Sequence, residues 1–470
     1  PESTTRTSLT SVFGRVGYDY SSKYFIEATF RYDGSSKFDR QYRWGFFPSI
    51  SAGWAISEEP WMESWNRDMG LLKIRASYGT LGNQSTGDYQ YFTTYDLYAN
   101  TYGFNNVSVA GAGFQLGTDN LRWEVSRTFN VGLDAAFFKN SLTIGFDYFN
   151  KHTTGILVKP KTPLHLGTEL NSYNAGEMRT QGWELTVNYS IAKRDWTHNL
   201  SFNIGDSWNR VLKYEGFEQI DQTEEYWKII REGLPLYSYY GYKMAGFFQS
   251  YDEIENSAVP VGMEGRLQPG DVKYVDRNND GVINEEDRFY LGNAFPRYTF
   301  GLNYAVSWKG IDLSVMFQGV LKRDMMLRGE LIEPFHNNNY GYTMYKHQLD
   351  YWTPTHTDAR WPILTASVTS SASSNNNWNY GSDMFMFNAS YLRLKDLQIG
   401  YTFPEKWMDK IKVEKLRLYF DAQNLFTISG VSFIDPEASE FGNSMNSGGA
   451  NSGRSYPNLR YFGMGVDITF

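Results

Sequence analysis

Apolar side chains recur at every second position through most of this chain, with small or polar residues between them. In 298–308, Tyr298, Phe300, Leu302, Tyr304, Val306 and Trp308 share one face, and Thr299, Gly301, Asn303, Ala305 and Ser307 share the other. Segment 182–190 sets Trp183, Leu185, Val187 and Tyr189 against Glu184, Thr186, Asn188 and Ser190. Segment 310–318 and the final segment, with Phe462, Met464, Val466, Ile468 and Phe470 on one side, repeat the pattern. A period of two puts alternate side chains on opposite faces of a strand. Thirteen strands follow from it, at about 9–20, 23–33, 46–57, 71–81, 121–138, 141–153, 177–190, 195–210, 297–308, 310–321, 388–403, 414–426 and 458–470. In 388–403 the apolar phase slips between Leu394 and Leu397, which predicts a β-bulge near Asp396.

The links alternate in length. Short ones (Ser21-Ser22, 58–70, Lys139-Asn140, Ile191–Arg194, Lys309 and 404–413) take turns with long ones (34–45, 82–120, 154–176, 211–296, 322–387 and 427–457). Ten residues at ~3.4 Å, tilted by ~40°, rise roughly 26 Å, the height of the apolar band of an outer-membrane barrel. Such barrels have short periplasmic turns and long extracellular loops. The expected fold is therefore all-β, a transmembrane antiparallel up-and-down β-barrel. Phe470 falls on the periplasmic side, and residues 1–8 fall outside the cell. Thirteen is odd, and an open edge in lipid leaves backbone groups without partners. The remaining strands are expected elsewhere, in a preceding segment or a separate chain; the alternative is a fourteenth strand at 237–249.

Composition agrees with two differently solvated faces. Aromatic residues make up 17% of the chain, yet only 41% is hydrophobic, and Gly numbers 43. The mean hydropathy is −0.50. No apolar run reaches the length of a transmembrane helix. There are no cysteines, which suits passage through the periplasm. A net charge of −8 argues against nucleic acid as a partner. The opening PESTTRTSLTS lacks the basic and apolar regions of a signal peptide, so Pro1 is not expected to be the N-terminus of the gene product.

The sharpest local motif is DRNNDGVINEED at 276–287, which fits an EF-hand-type calcium loop. Asp276, Asn278 and Asp280 take positions 1, 3 and 5. Gly281 makes the sharp turn, Val282 offers its carbonyl, Asn284 acts through water, and Asp287 closes the loop where Glu is usual. A structural Ca2+ that orders the long 211–296 loop is the expected role. The competing reading is an Asx-rich turn that needs no ion. Loop aromatics Tyr237, Tyr239, Tyr240, Tyr242, Phe247, Phe248, Trp352, Trp361 and Trp378 can stack on a ligand or pack within the loops, and packing is the expected use. Segments 366–380 and 440–458 are polar and of low complexity. No catalytic constellation stands out, and the six His show no zinc-ligand spacing.

The blocks GFFPSISAGWAISEEPW (45–61), LLKIRASYGTLGNQ (71–84), DVKYVDRNNDGVINEEDRFYLGNAFPRYTFGLN (271–303), YLRLKDLQIGYTFP (391–404), LRLYFDAQNLFTISG (416–430) and PNLRYFGMGVDITF (457–470) resemble SusC/RagA-type TonB-dependent transporters of Bacteroidetes. The resemblance covers essentially all of 1–470. It implies a barrel of about 22 strands, of which these would be the last thirteen, preceded by a plug and about nine strands. It also implies TonB-dependent import of a large nutrient, an oligosaccharide first and a peptide second. The partners implied are a SusD-like surface lipoprotein acting as a lid over loops 211–296 and 322–387, TonB–ExbB–ExbD acting through the plug, outer-membrane lipid, and a dimer of transporter–lid pairs. Phe470, with its alternating apolar neighbours, resembles a barrel-assembly signal. The rival readings are a β-rich surface-binding or adhesion protein and a secreted glycan-active enzyme.

Overall fold

The computed structural model describes residues 5–105, 107–158, 165, 170–214, 219–221, 228–335, 344–366, 371–437 and 456–470. Pro1, most of the 440–458 segment and 367–370 lie outside the described residues.

All thirteen expected strands form. They are β1 (Leu9–Tyr20), β2 (Tyr24–Ser35), β3 (Trp44–Ala55), β4 (Leu72–Asn83), β5 (Glu124–Phe137), β6 (Leu142–Val158), β7 (Tyr173–Lys193), β8 (Trp196–Tyr214), β9 (Arg297–Trp308), β10 (Ile311–Lys322), β11 (Tyr391–Thr402), β12 (Lys415–Ser429) and β13 (Tyr461–Thr469). The hydrogen-bonded order runs from β1 to β13 without a crossover, the meander of an up-and-down barrel. Two compact units divide the chain, one dominated by 1–191 and the other by 237–470.

The short links are tight turns that need left-handed backbone. Ser21 and Ser22 have φ of 52° and 55°, and Lys309 and Gly310 have 46° and 88°. Positive φ at both central residues is the signature of a type I′ hairpin, whose twist matches that of the strands. A side chain at Gly310 would strike the Thr402 carbonyl oxygen at 2.5 Å, so glycine is required there twice over. The links at 56–71 and 403–414 instead hold short helical turns, including Glu63–Asp68 and Glu405–Met408.

The bulge falls at Lys395. Register jumps from Leu394 to Asp396 against both β10 and β12, one residue from the expected place. Elsewhere the strand ends differ from the sequence pattern. β6 runs to Val158, β7 begins at Tyr173 and β8 runs to Tyr214. Backbone pairing continues past the apolar band, where the side-chain alternation that marks a lipid face is no longer needed.

Segment 237–249 is extended but is not a fourteenth strand of the main sheet. Ser238–Gly241 pairs with Lys228–Ile230 and Phe289–Asn293, and Met244–Phe247 pairs with Val272–Tyr274. These belong to a packed loop domain of the second unit. Its core includes Tyr239, Val272, Ile283, Met326, Trp352, Trp378 and Phe385. In the first unit Phe38, Phe47, Leu121 and Trp123 make a smaller core, with the Trp123 indole N–H donating to the Arg43 carbonyl at 2.9 Å. The link 82–120 also contains a hairpin, Thr94–Phe104 with Val107–Gln115, that alternation alone did not reveal.

Candidate functional site

Register turns the alternation into two walls. In the first unit Ile74, Leu133, Phe146 and Leu185 stand opposite one another across β4–β7, forming one apolar row. The neighbouring row is Arg75, Gly132, Asp147 and Glu184, and it faces the other way. The second unit repeats this with Val306, Leu313, Ile399, Phe420 and Met464. At the short-link end of this apolar face Trp196 and Trp308 stack at 5.1 Å, and His198 Nδ1 lies 2.9 Å from the Tyr304 hydroxyl. Trp and Tyr at that level form the aromatic girdle of a membrane interface.

Charged groups on the polar wall are paired by a device that occurs twice. Arg75 on β4 donates Nε to Asp134 at 2.8 Å and Nη1 to Asp147 at 2.7 Å. To reach Asp147 on β6 the guanidinium lies across Gly132 of the intervening strand. A Cβ at Gly132 would sit 2.6 Å from Arg75 Cζ. Arg417 on β12 likewise crosses Gly400 of β11 to Asp312 on β10, at 2.6 Å from Nη2, and also donates to Asp467 at 3.1 Å. Two planar forks laid over glycines thus tie strands that are not neighbours. They neutralise the wall without closing it to water. Sequence reasoning missed both, because the partners meet only through register. An Arg on the polar phase of one strand, with a glycine on the polar phase of its neighbour, is the signal that could have found them.

The loop domain assigns most of the loop aromatics to packing. Tyr239, Tyr240, Tyr242, Phe247, Phe248, Trp352, Trp361 and Trp378 are all buried, while Tyr237 is exposed. Burial pushes the Tyr239 hydroxyl up to about 12. It also raises the Asp271 carboxyl, an effect only partly offset by the Gln268 N–H and the side chains of Asn377 and Ser373. A second buried cluster, also missed, joins wall to loop. Arg393 on β11 grips Asp435 at 2.5 Å and also Glu437. The Lys395 ammonium, turned by the bulge, reaches Glu437 at 3.2 Å. Asn458, just before β13, donates its backbone N–H to Asp435 at 2.9 Å.

The acidic loop adopts the turn its sequence demands. Asp276 accepts from the N–H of Asn279 at 2.7 Å and of Gly281 at 2.9 Å, and Asp280 accepts from Val282 N at 2.9 Å. Gly281 has φ 84°. Val282–Ile283 pairs in parallel with Val259–Pro260, and the fully buried Ile283 anchors the loop in the core. Asp287 is buried, with its two oxygens accepting from Arg277 N and Asn284 N, both at 2.8 Å. The Asn278 amide nitrogen donates to Asp280 at 2.9 Å and to Glu286 at 3.2 Å. Two carboxylates therefore converge on one electropositive point, and Glu286 joins the candidate oxygens. Each carboxylate oxygen keeps a lone pair beyond those engaged. Among the described residues no three His, Cys, Asp or Glu side chains are gathered as a ready metal cage. A calcium ion held there would draw on oxygens of Asp276, Asn278, Asp280 and Asp287 and on the Val282 carbonyl.

A meander with an apolar aromatic outer face and a hydrated inner wall is an integral β-barrel of the outer membrane. The profile of the family "TonB dependent receptor-like, beta-barrel" matches residues 1–425, and the chain belongs to that family. It is 31% identical over 99% of its length to TonB-dependent receptor P3 of Formosa agariphila, covering 46% of that protein. It is 29% identical, again over 99% of its length, to TonB-dependent receptor SusC of Bacteroides thetaiotaomicron, covering 44%. The structure of the RagAB peptide transporter superposes with a TM-score of 0.76 at 23% identity, over 99% of this chain and 48% of that one. The chain thus spans about half the length of the relatives it matches.

Proposed function

We propose that residues 1–470 form the C-terminal barrel portion of a TonB-dependent importer for a bulky polar nutrient. The observation that carries this reading is the paired-charge inner wall of the outer-membrane sheet. A lumen lined by satisfied arginine forks stays hydrated, and offers passing cargo hydrogen bonds without an unpaired charge to trap it. Strands β1 and β13 each have one hydrogen-bonded neighbour among the described residues, so further strands are needed to satisfy their outer backbone groups in lipid. A plug in the completed lumen, TonB–ExbB–ExbD as the energy source and a SusD-like lipoprotein over the loop domain complete the proposal, with pairs of transporter and lid associating as dimers. An oligosaccharide is the first substrate reading. The likeness to a structure titled as a peptide transporter supports peptide as the second.

Cells lacking the gene are expected to lose growth on one complex glycan, or on a peptide source, while growth on its monomers is unchanged. Undiminished growth on every oligomer tried would overturn import. Dependence on peptide alone would decide between the two substrates.

We infer also that the 276–287 loop takes Ca2+ as a structural ion that orders the loop domain. Extracellular calcium modules bind with Kd of about 0.1–1 mM. At about ten times Kd the folded state gains ~1.4 kcal/mol. Millimolar calcium should therefore raise the thermal midpoint by a few degrees, and Asp276→Ala with Asp280→Ala should abolish the increment. An unchanged midpoint in wild-type protein would leave the loop as an Asx turn that needs no ion.

A further inference from the structure

The outer face of β5–β7 breaks its own rule at one level. From the short-link end the opposed rows are Phe137, Leu142 and Tyr189; then Ala135, Ile144 and Val187; Leu133, Phe146 and Leu185; and Val131, Tyr148 and Trp183. Phe129, Asn150 and Gln181 come next, and beyond them Arg127, His152 and Arg179. Register is unbroken across this stretch, so the three cationic or ionisable residues stand on the lipid-facing side, in line across three neighbouring strands. Phe137 and Arg127 are ten residues apart on one strand, which at the usual rise and tilt is roughly 26 Å, one apolar-band height. The row therefore lies at the level of the extracellular headgroups.

Its surroundings leave positive charge available. Arg127 and Arg179 are exposed. Arg127 donates only to the neutral Thr154 hydroxyl, at 3.1 Å, and Arg179 forms no ion pair among the described residues. Glu177, two residues before Arg179 on the same strand, is engaged with His152 at 3.3 Å. One row toward the membrane centre, Gln181 donates to the Tyr148 hydroxyl at 2.8 Å. Arg127 and Arg179 are two strand spacings apart, about 10 Å, so two extended guanidinium groups can meet on one tetrahedral anion above His152. The rings and aliphatic chains of the next rows are placed for acyl chains.

We propose that this face is a binding site for a phosphorylated glycolipid of the outer leaflet, its phosphate held by Arg127 and Arg179 and its acyl chains by Val131, Tyr148 and Trp183. The site lies on the outside of the barrel and takes no part in substrate passage, so it stands independently of the import reading.

The test uses the whole transporter containing this chain, purified in detergent, with folding checked by heat-modifiable electrophoretic mobility. A monophosphorylated glucosamine-disaccharide glycolipid and the same lipid after phosphatase treatment are titrated in native mass spectrometry. The phosphorylated lipid should bind at least about tenfold more tightly. Arg127→Ser with Arg179→Ser should remove that preference, and the paired lysine substitutions should keep part of it. Equal binding of the two lipids by wild-type protein overturns the proposal, as does a preference that survives the double serine variant. Displacement of the lipid by millimolar inorganic phosphate also overturns it, since the site would then be one for a free anion. The comparison of the two lipids on wild-type protein stands even if a variant fails to fold.

Discussion

Arg393→Ala is expected to destabilise the loop end of the second unit by about 3–5 kcal/mol, because it leaves Asp435 and Glu437 facing each other without their main counter-charge. The Arg393 side chain is 3% exposed and that of Asp435 6%, so water cannot take the lost partner's place. The remaining cations fill the gap only in part. Lys395 reaches Glu437 alone, and Arg323 donates to the Pro436 carbonyl instead of to either carboxylate. The measurement is the thermal midpoint, together with the rate of proteolysis between β12 and β13. The triple variant Arg393→Met, Asp435→Asn, Glu437→Gln should recover much of the loss, since exchanging a whole buried ion cluster costs far less than breaking it. If the single variant melts within a degree of wild type, the cluster is not holding the loop.

The same cluster predicts an acid profile. Burial alone would raise the Asp435 carboxyl. The N–H groups of Glu437 and Asn458, with the Arg393 guanidinium, outweigh that and hold it below the usual carboxylate range. A depressed folded value means that the stabilisation is present above the unfolded pKa, near ~3.9, and is lost as pH falls through the folded one. Protease sensitivity of this loop should therefore rise below about pH 4 in wild-type protein. In the triple variant it should be flat over that interval.

Gly132→Val is the second large effect expected. Its Cβ would meet Arg75 Cζ at 2.6 Å, Nη1 at 2.7 Å and Asp147 Oδ1 at 2.7 Å, so the fork must leave the wall. The overlap costs about 1–3 kcal/mol, and the lost pairing of Arg75, Asp134 and Asp147, which water partly reaches, adds about 1 kcal/mol. Gly145→Val is the matched control. It lies on the same polar face of the adjoining strand, and a Cβ there finds only Asp134 Oδ1, at 3.8 Å. Because valine suits a strand at both places, the difference between the two variants isolates the fork from β propensity. Heat-modifiable mobility should fall by several degrees for the first and stay unchanged for the second. Equal shifts would mean that the glycine is not a platform for the arginine.

All thirteen strands, their order and the place of the bulge could be read from the chain, because each depends on something local. A side chain that must meet hydrocarbon, followed by one that must meet water, writes a period of two wherever the strand lies in the membrane. The phase slip at 394–397 recorded the extra residue at Lys395 for the same reason. The turn at 276–287 was equally local, since aspartates and asparagines fold onto their own backbone N–H groups. The glycolipid row is a mixed case. The phase of Arg127, His152 and Arg179 was written in their strands, but their alignment was not.

Pairing between distant residues was decided only by the tertiary structure. Arg75 with Asp147, Arg417 with Asp312, and Arg393 with Asp435 are joined by register, by a missing Cβ or by a loop folding back, and no local periodicity encodes any of these. The loop aromatics turned inward by the same kind of long-range choice, because Trp352, Trp361 and Trp378 share one core with Tyr239 and Phe385 although they are far apart in the chain. Solvent fixes a periodicity one residue at a time, so sequence alone carries it. Charge pairing and packing depend on which neighbours the folded sheet brings within a few ångströms, and those neighbours exist only once the strands have found one another.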